Sequence, residues 1–297
     1  MGKIDLHMHS AVSVDGELSP EELVTRAVRS GLAAMALTDH NSVRGLEEAR
    51  AAAERLGIRF VPGVEMDCHL NGKNLHLLGY GVDSAHAAFR EIEEEILDQE
   101  RQCSGSRLQF FHSLGLAFDD DRVTSQNAYG LAVVEDIARE ALEEPANKDC
   151  GLLDPYRPGG ARAGNPYVNF YWDFASQGKP GYTQIHYRSF EEINRMILDQ
   201  GGITVVAHPD ITVGKNRDSI AYMARCGLRG IEVYCSYHGA AEQAYYRETA
   251  RSLGLAVTAG SDFHGKSKPA VMQGGTGAGE MQEQEIREDL AALGVLL

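Results

Sequence analysis

Short apolar runs rich in β-branched residues alternate with helix-like segments at both ends of this chain, and that rhythm constrains the fold more than any other feature. Seven candidate strands can be marked, at 3–9, 33–39, 59–65, 74–81, 202–208, 230–234 and 255–262. The segments between them carry helix punctuation. Ser19-Pro20-Glu21-Glu22 supplies an N-cap, a proline at the first helical position and two acids in the first turn, and Gly31 closes that helix. Ser42, Ser189 and Gly239 open comparable segments; Gly57, Gly201 and Gly254 end them. Such alternation predicts a parallel α/β sheet or barrel.

The rhythm breaks between residues 84 and 182. A long charged run at 89–116 reads as helix, and Pro- and Gly-rich sequence at 144–166 has little periodicity. A structureless loop of that size is rare in a compact domain, so the stretch is expected to be an inserted, mostly helical subdomain, with 1–83 and 183–297 forming the main body. Gly274 to Gly279 lacks the Lys-Ser/Thr of a phosphate loop and reads as a connector.

The side chains able to hold metals fall at the strand ends. His7 and His9 end the first strand, Asp39 and His40 the second, Glu65 the third, His208 the fifth, and Asp262 and His264 the seventh; His76 lies inside the fourth. In parallel βα architectures the carboxyl ends of strands share one rim, where sites are built. Six of the eleven histidines are thus expected on that rim. His7-Met8-His9 places two imidazoles on one side of a strand, since alternate residues share a face. Taken singly, Glu65 reads as a strand-exit carboxylate or a ligand bridging two metals, and His76 as a core histidine or a ligand. Ala207-His208-Pro209 and Ser261-Asp262-Phe263-His264-Gly265 each follow an apolar strand, which favours the ligand reading.

Charge narrows the chemistry. With 28 Lys and Arg against 43 Asp and Glu, the net charge is −15, which excludes a basic surface built to release counterions from long nucleic acid. Metal ions on an acidic protein are a local source of positive field for small anions. Five scattered cysteines without a C-x-x-C suit a reducing compartment, and no basic leader or long apolar stretch appears at the start, so a cytoplasmic location and no membrane partner are expected.

His7-Met8-His9, Thr38-Asp39-His40, Glu65 after Pro62-Gly63, His76, Ala207-His208-Pro209 and Ser261-Asp262-Phe263-His264-Gly265, in this order and spacing, resemble the PHP (polymerase and histidinol phosphatase) metal-dependent phosphoesterases. The resemblance covers 1–83 and about 178–265, and is strongest to small-molecule phosphatases and phosphodiesterases with a helical insertion. It implies a distorted (β/α)7 barrel and two or three divalent metals. One would be held by His7, His9, Glu65 and Asp262, a second by Glu65, His76 and His208, and a third by Asp15, His40 and His264. Ser13-Val14-Asp15-Gly16 carries one residue more than the family pattern before its aspartate. A nitrogen and oxygen donor set without thiolate suits Mn, Zn or Fe.

The implied reaction is hydrolysis of a phosphoester in a small phosphorylated metabolite, such as a nucleoside 3′,5′-bisphosphate or a ribosyl cyclic phosphate. Asp262, Glu65 and His264 are the expected catalytic set, with Asp262 accepting a proton from water. Lys179, Arg188, Lys215, Arg217 and His238 are candidates for gripping the rest of the substrate, and Trp172, Tyr167, Tyr171 and Tyr182 for roofing the pocket or packing the insertion. Histidinol phosphate hydrolysis and trimming of short RNA are alternatives within the family. Amide or ester hydrolysis, or a non-catalytic metal-stabilised module, are alternatives of other classes.

Overall fold

The structure, a computed structural model, describes residues 2–295. Seven strands form one sheet in chain order: β1 (Lys3–Asp5), β2 (Leu32–Leu37), β3 (Arg59–Leu70), β4 (Lys73–Tyr80), β5 (Ile203–Val206), β6 (Gly230–Tyr234) and β7 (Ala256–Ala259). Among the described residues, eleven α-helices complete the mixed α/β fold: α1 (Pro20–Arg29), α2 (Leu46–Leu56), α3 (Ala87–Ser113), α4 (Asp120–Thr124), α5 (Val134–Glu143), α6 (Pro166–Phe174), α7 (Phe190–Asp199), α8 (Pro209–Thr212), α9 (Arg217–Arg225), α10 (Ala240–Leu253) and α11 (Glu280–Ala292).

The local signals act as expected at several ends. Ser19 and Ser189 both form capping boxes, with Glu22 and Glu192 returning the bond, and Gly57 and Gly254 end α2 and α10 in the left-handed conformation. Ser42 does not open α2, whose cap is Gly45. The strands and the helices on them are buried and apolar, from Ile4 and Leu6 through Val205, Val206 and Ile231 to Val257.

β4 departs from the parallel pattern and runs antiparallel to both β3 and β5. The cause is local. Asn71 and Gly72 both have positive φ, 52° and 77°, the pair that a tight hairpin turn demands. β3 therefore continues past Glu65 to Leu70 before the chain reverses. Because β4 starts at the rim where parallel strands end, His76 reaches that rim from the opposite direction, paired in register with Asp67.

Backbone bonds join the two edges of the sheet at the same rim. The Leu6 amide donates to the Ala259 carbonyl (3.0 Å), Asp262 to His7 (2.8 Å) and His9 to Phe263 (2.9 Å). Buried Asp5 reinforces the seam, accepting from the Ser261 amide (2.8 Å) and hydroxyl (2.6 Å) and from the Gly274 amide (2.7 Å). Burial nonetheless lifts its carboxyl to about 6. The glycine run that reads as a connector thus contributes a bond to the seam.

Residues 111–175 form a second hydrophobic cluster, with Phe111, Val123, Ile137, Leu153 and Phe170 at its centre. Helix α3 serves both clusters: Phe89, Ile92 and Ile96 pack with the sheet, whereas Phe111 packs with α5 and α6. No helix among the described residues is long and apolar enough to cross a membrane.

Candidate metal centre

At the rim where β1, β2 and β7 end, imidazoles and carboxylates converge around Glu65. Its Oε2 lies 2.9 Å from His7 Nε2 and 3.1 Å from His9 Nε2, and Asp262 Oδ1 faces the same two nitrogens at 3.4 and 3.2 Å. Its other oxygen, Oε1, lies 3.0 Å from His76 Nδ1 and 3.1 Å from His208 Nε2. The two oxygens of one buried carboxylate thus face two separate groups of donors. A third group gathers His9, His40 and His264, and Asp15 Oδ2 stands 3.1 Å from His264 Nε2. The extra residue before Asp15 therefore does not keep it from this group.

The donor set fits divalent cations. His7 Nε2, His9 Nε2, His40 Nδ1, His264 Nε2, Glu65 Oε2, Asp15 Oδ1 and Asp262 Oδ1 are all buried and have no hydrogen-bond partner. Buried polar atoms in proteins are nearly always paired, so this many aimed at one small volume need a common electrophile. Oxygen and imidazole donors without sulfur suit Mn, Zn or Fe among biological metals.

Neighbouring residues fix which nitrogen faces inward. His7 Nδ1–H donates to Glu232 Oε1 (2.9 Å), whose Oε2 accepts the His208 amide (2.8 Å). His9 Nδ1–H donates to Ser13 Oγ (3.1 Å), which also accepts the His40 amide (2.8 Å) and donates to Asp39 Oδ1 (3.1 Å). Asp39 also accepts from the Ser10 amide and hydroxyl (both 2.7 Å), so it is a support for Ser10 and Ser13. Such outer bonds turn the free nitrogen of each ring toward the cluster. Two candidate ligands also sit in the left-handed backbone region, His208 at φ 24° and Asp262 at φ 59°, a conformation that non-glycine residues hold only against cost.

Charge is balanced inside the cluster. Burial opposes ionisation of Glu65, but the imidazoles of His7, His40 and His76 outweigh it and hold the carboxyl well below its usual range. Burial, with repulsion from His264 and His40, pushes His9 down to about 3, leaving a neutral ring with a lone pair to give. For His76 burial acts the same way, yet Glu65 and Asp67 overcome it and raise the ring to about 9, so a proton competes with a cation there.

Residues not singled out from the sequence complete the site. Asp67 follows Glu65 by two positions on β3, on the same side of the strand, and its Oδ1 lies 3.1 Å from His76 Nε2. The Glu-x-Asp alternation was the available signal; a strand ending at Glu65 conceals it. Asp262 Oδ2 accepts from Lys268 Nζ (2.5 Å) and Tyr237 OH (2.7 Å), contacts that no local spacing announces.

Beside the cluster lies a cavity of about 190 Å³ between the rim and residues 93–172, lined on one side by Asp15, His40, Asp67 and His76 and on the other by Tyr129, Glu135, Tyr171 and Trp172. The five expected substrate-gripping residues do not line it. Lys179 is exposed in a turn; Arg188 pairs with Glu95 (2.8 Å) and Lys215 with Glu242 (2.9 Å); Arg217 donates to Ser252 Oγ (2.7 Å). His238 is buried, donating from Nδ1 to the Val233 carbonyl (2.9 Å) and stacked on Tyr246. Lys179, Arg188, Lys215 and Arg217 are turned to water or to neighbouring partners, whereas His238 is packed inside against Tyr246. Of the aromatic candidates, Tyr171 and Trp172 line the cavity; Tyr167 packs on the second cluster and Tyr182 lies near Asn74.

Comparison with known proteins identifies the family. The PHP domain model matches residues 5–143. A 3′,5′-nucleoside bisphosphate phosphatase of Chromobacterium violaceum is 31% identical over 292 residues, covering 95% of this chain and 93% of that one. A phosphoribosyl 1,2-cyclic phosphate 1,2-diphosphodiesterase of Eggerthella lenta is 29% identical over 264 residues, covering 88% and 94%. Among solved structures, an amidohydrolase from Chromobacterium violaceum, with bound sulfate and no metal, superposes with a TM-score of 0.72 at 31% identity, covering 88% of this chain and 87% of that one. With relatives matched at such identity over nearly their whole length, the chain belongs to the PHP family of metal-dependent phosphoesterases.

Proposed function

We propose that this enzyme hydrolyses a phosphoester bond in a small phosphorylated metabolite, using two or three divalent ions held at the rim. The observation that carries the reading is Glu65, whose two buried oxygens face different donor groups at 2.9–3.1 Å. His7, His9, Glu65 and Asp262 would hold one ion, Glu65, His76 and His208 a second, and His40, His264 and Asp15 a third; Mn, Zn and Fe all suit these donors. When bound, such ions neutralise phosphoryl oxygens and make water a competent nucleophile at neutral pH.

The chain's own groups do the rest. Asp262 turns Oδ1 toward the cluster, while Lys268 and Tyr237 fix Oδ2, so its carboxylate is oriented to accept the proton of the attacking water. Buried Lys268, paired with Asp262, adds positive charge to the cavity wall. Glu65 and His264 serve as ligands that set the spacing of the ions. We take residues 84–182 as an inserted helical subdomain on a barrel body of 1–83 and 183–297; the second hydrophobic cluster supports a separate unit at 111–175, joined to the body by the first turns of α3 that pack on the sheet, and helices α3, α5 and α6 supply the cavity's outer wall. The acidic surface, at a net charge of −15, favours small anions that reach the ions over long polymers.

The test is p-nitrophenol release from p-nitrophenyl phosphate and bis-p-nitrophenyl phosphate beside that from a p-nitrophenyl carboxylate ester, with metal content measured on protein purified without chelator. Turnover of the phosphoesters with at least two ions per chain is expected. Ester turnover with both phosphorus substrates untouched would overturn the proposal.

A further inference from the structure

The outer wall of the cavity differs in character from the rim. It is apolar and aromatic, with Ile96, Leu97, Val168, Tyr129, Tyr171, Trp172 and Tyr187, and it carries one carboxyl without a partner. That carboxyl is Glu135, in the first turn of α5. The other acids on this wall are spoken for: Glu93 receives Arg44 Nη2 at 2.6 Å, and Glu100 receives Arg107. Glu135 makes no ion pair or side-chain hydrogen bond to another residue among the described residues, although Asp15, Asp136 and Lys268 lie near enough to influence it. The sole Lys or Arg lining the cavity, among the described residues, is Lys268, and its ammonium is held by Asp262.

Resting on the phosphoesterase reading above, we infer that this wall is a specificity subsite for an apolar or aromatic leaving group bearing a positively charged or N–H-donating nitrogen, received by Glu135. Flat bodies gain by stacking on Tyr171 and Trp172, and a cation gains both from the aromatic faces and from the carboxylate. A second phosphate entering the same space meets Glu135 and no unpaired cation, so bisphosphates are disfavoured in this half of the cavity. Burial, followed by the repulsion of Asp15, pushes the Glu135 carboxyl up to about 8, so near neutral pH it is an arriving cation that brings it to the carboxylate form, while a neutral N–H donor meets its carbonyl oxygen.

The experiment uses the metal-loaded enzyme and three aryl phosphates that share a phenolic leaving oxygen and differ at the para chain: tyramine O-phosphate (ammonium), 4-ethylphenyl phosphate (neutral) and 3-(4-phosphonooxyphenyl)propanoate (carboxylate). The expected kcat/KM falls in that order, by about tenfold or more from first to last, the scale of one charge-assisted bond. Glu135→Gln is expected to flatten the series and Glu135→Lys to reverse it, with metal content per chain unchanged and thermal melting confirming folded variants. A flat or reversed series in the unaltered enzyme overturns the inference, whether or not either variant folds. Loss of a metal equivalent in Glu135→Gln also overturns it, since Glu135 would then be a ligand. If none of the three esters releases phosphate while bis-p-nitrophenyl phosphate is hydrolysed, the subsite inference falls and the phosphoesterase reading stands; if the diester is untouched as well, it is the phosphoesterase reading that falls.

Discussion

Glu232 touches none of the open cluster nitrogens, yet its replacement by Gln is expected to weaken metal binding. One carboxylate oxygen takes the His7 Nδ1 proton at 2.9 Å and the other takes the His208 amide at 2.8 Å, both at zero exposure. An amide has one acceptor oxygen, so Gln satisfies one donor and turns its own NH₂ against the other. The loss is one hydrogen bond to an ionised group, about 1.5–3 kcal/mol, with a buried donor left over. Because that bond sets the orientation and basicity of His7 Nε2, the loss is expected as about 10–100-fold weaker metal affinity. Competition with a chelating indicator measures this directly, and kcat at saturating metal is expected to recover most of the wild-type value. Melting of chelator-treated protein supplies the control. A variant with wild-type metal affinity and a lowered melting temperature would refute the reasoning, by making Glu232 a purely structural residue.

Removing the Phe170 ring from the second cluster should cost about 3–5 kcal/mol, read as earlier urea unfolding and faster proteolysis between residues 111 and 175. Lys215→Ala and Arg217→Ala should leave kcat/KM within about twofold, because both side chains are exposed and paired outside the cavity; a tenfold loss would return them to the site. Loading metal at pH 7 should release protons. His76 at about 9 is protonated there without metal and must lose its proton to bind, so affinity at this ligand rises with pH until about 9 and then levels. Calorimetry in two buffers of different ionisation enthalpy reads the proton count, and zero release contradicts the shift.

Much of this molecule is written locally. Strand rhythm, Ser-capped helix starts and the H-x-H pattern each depend on a few adjacent residues, so the seven strands and the strand-end histidines and carboxylates that meet around Glu65 were legible from the sequence, whereas Asp15 entered only through the family resemblance. Even the hairpin that reverses β4 had its signal in Asn71-Gly72, although its consequence for His76 and Asp67 follows only from pairing two strands. Spacing could not locate the cations. Lys215 and Arg217 lie within ten residues of His208 yet point to solvent, whereas Lys268 folds back onto Asp262. A long flexible side chain takes its direction from the partners that tertiary packing offers, and the sequence carries no such list.

By itself the sequence determined the donor chemistry: imidazole and carboxylate at strand ends, too many and too regularly placed to be idle. Tertiary structure decided everything that requires two distant segments to meet. It brings Glu65 between His7, His9, His76 and His208, buries Glu232 behind His7, and sets the Glu135 wall opposite the rim. The division follows from range. A strand or a cap is stabilised by neighbours along the chain, but a cluster of converging donors and the wall that faces it form only once a packed core holds together charged groups that would repel or hydrate if left apart.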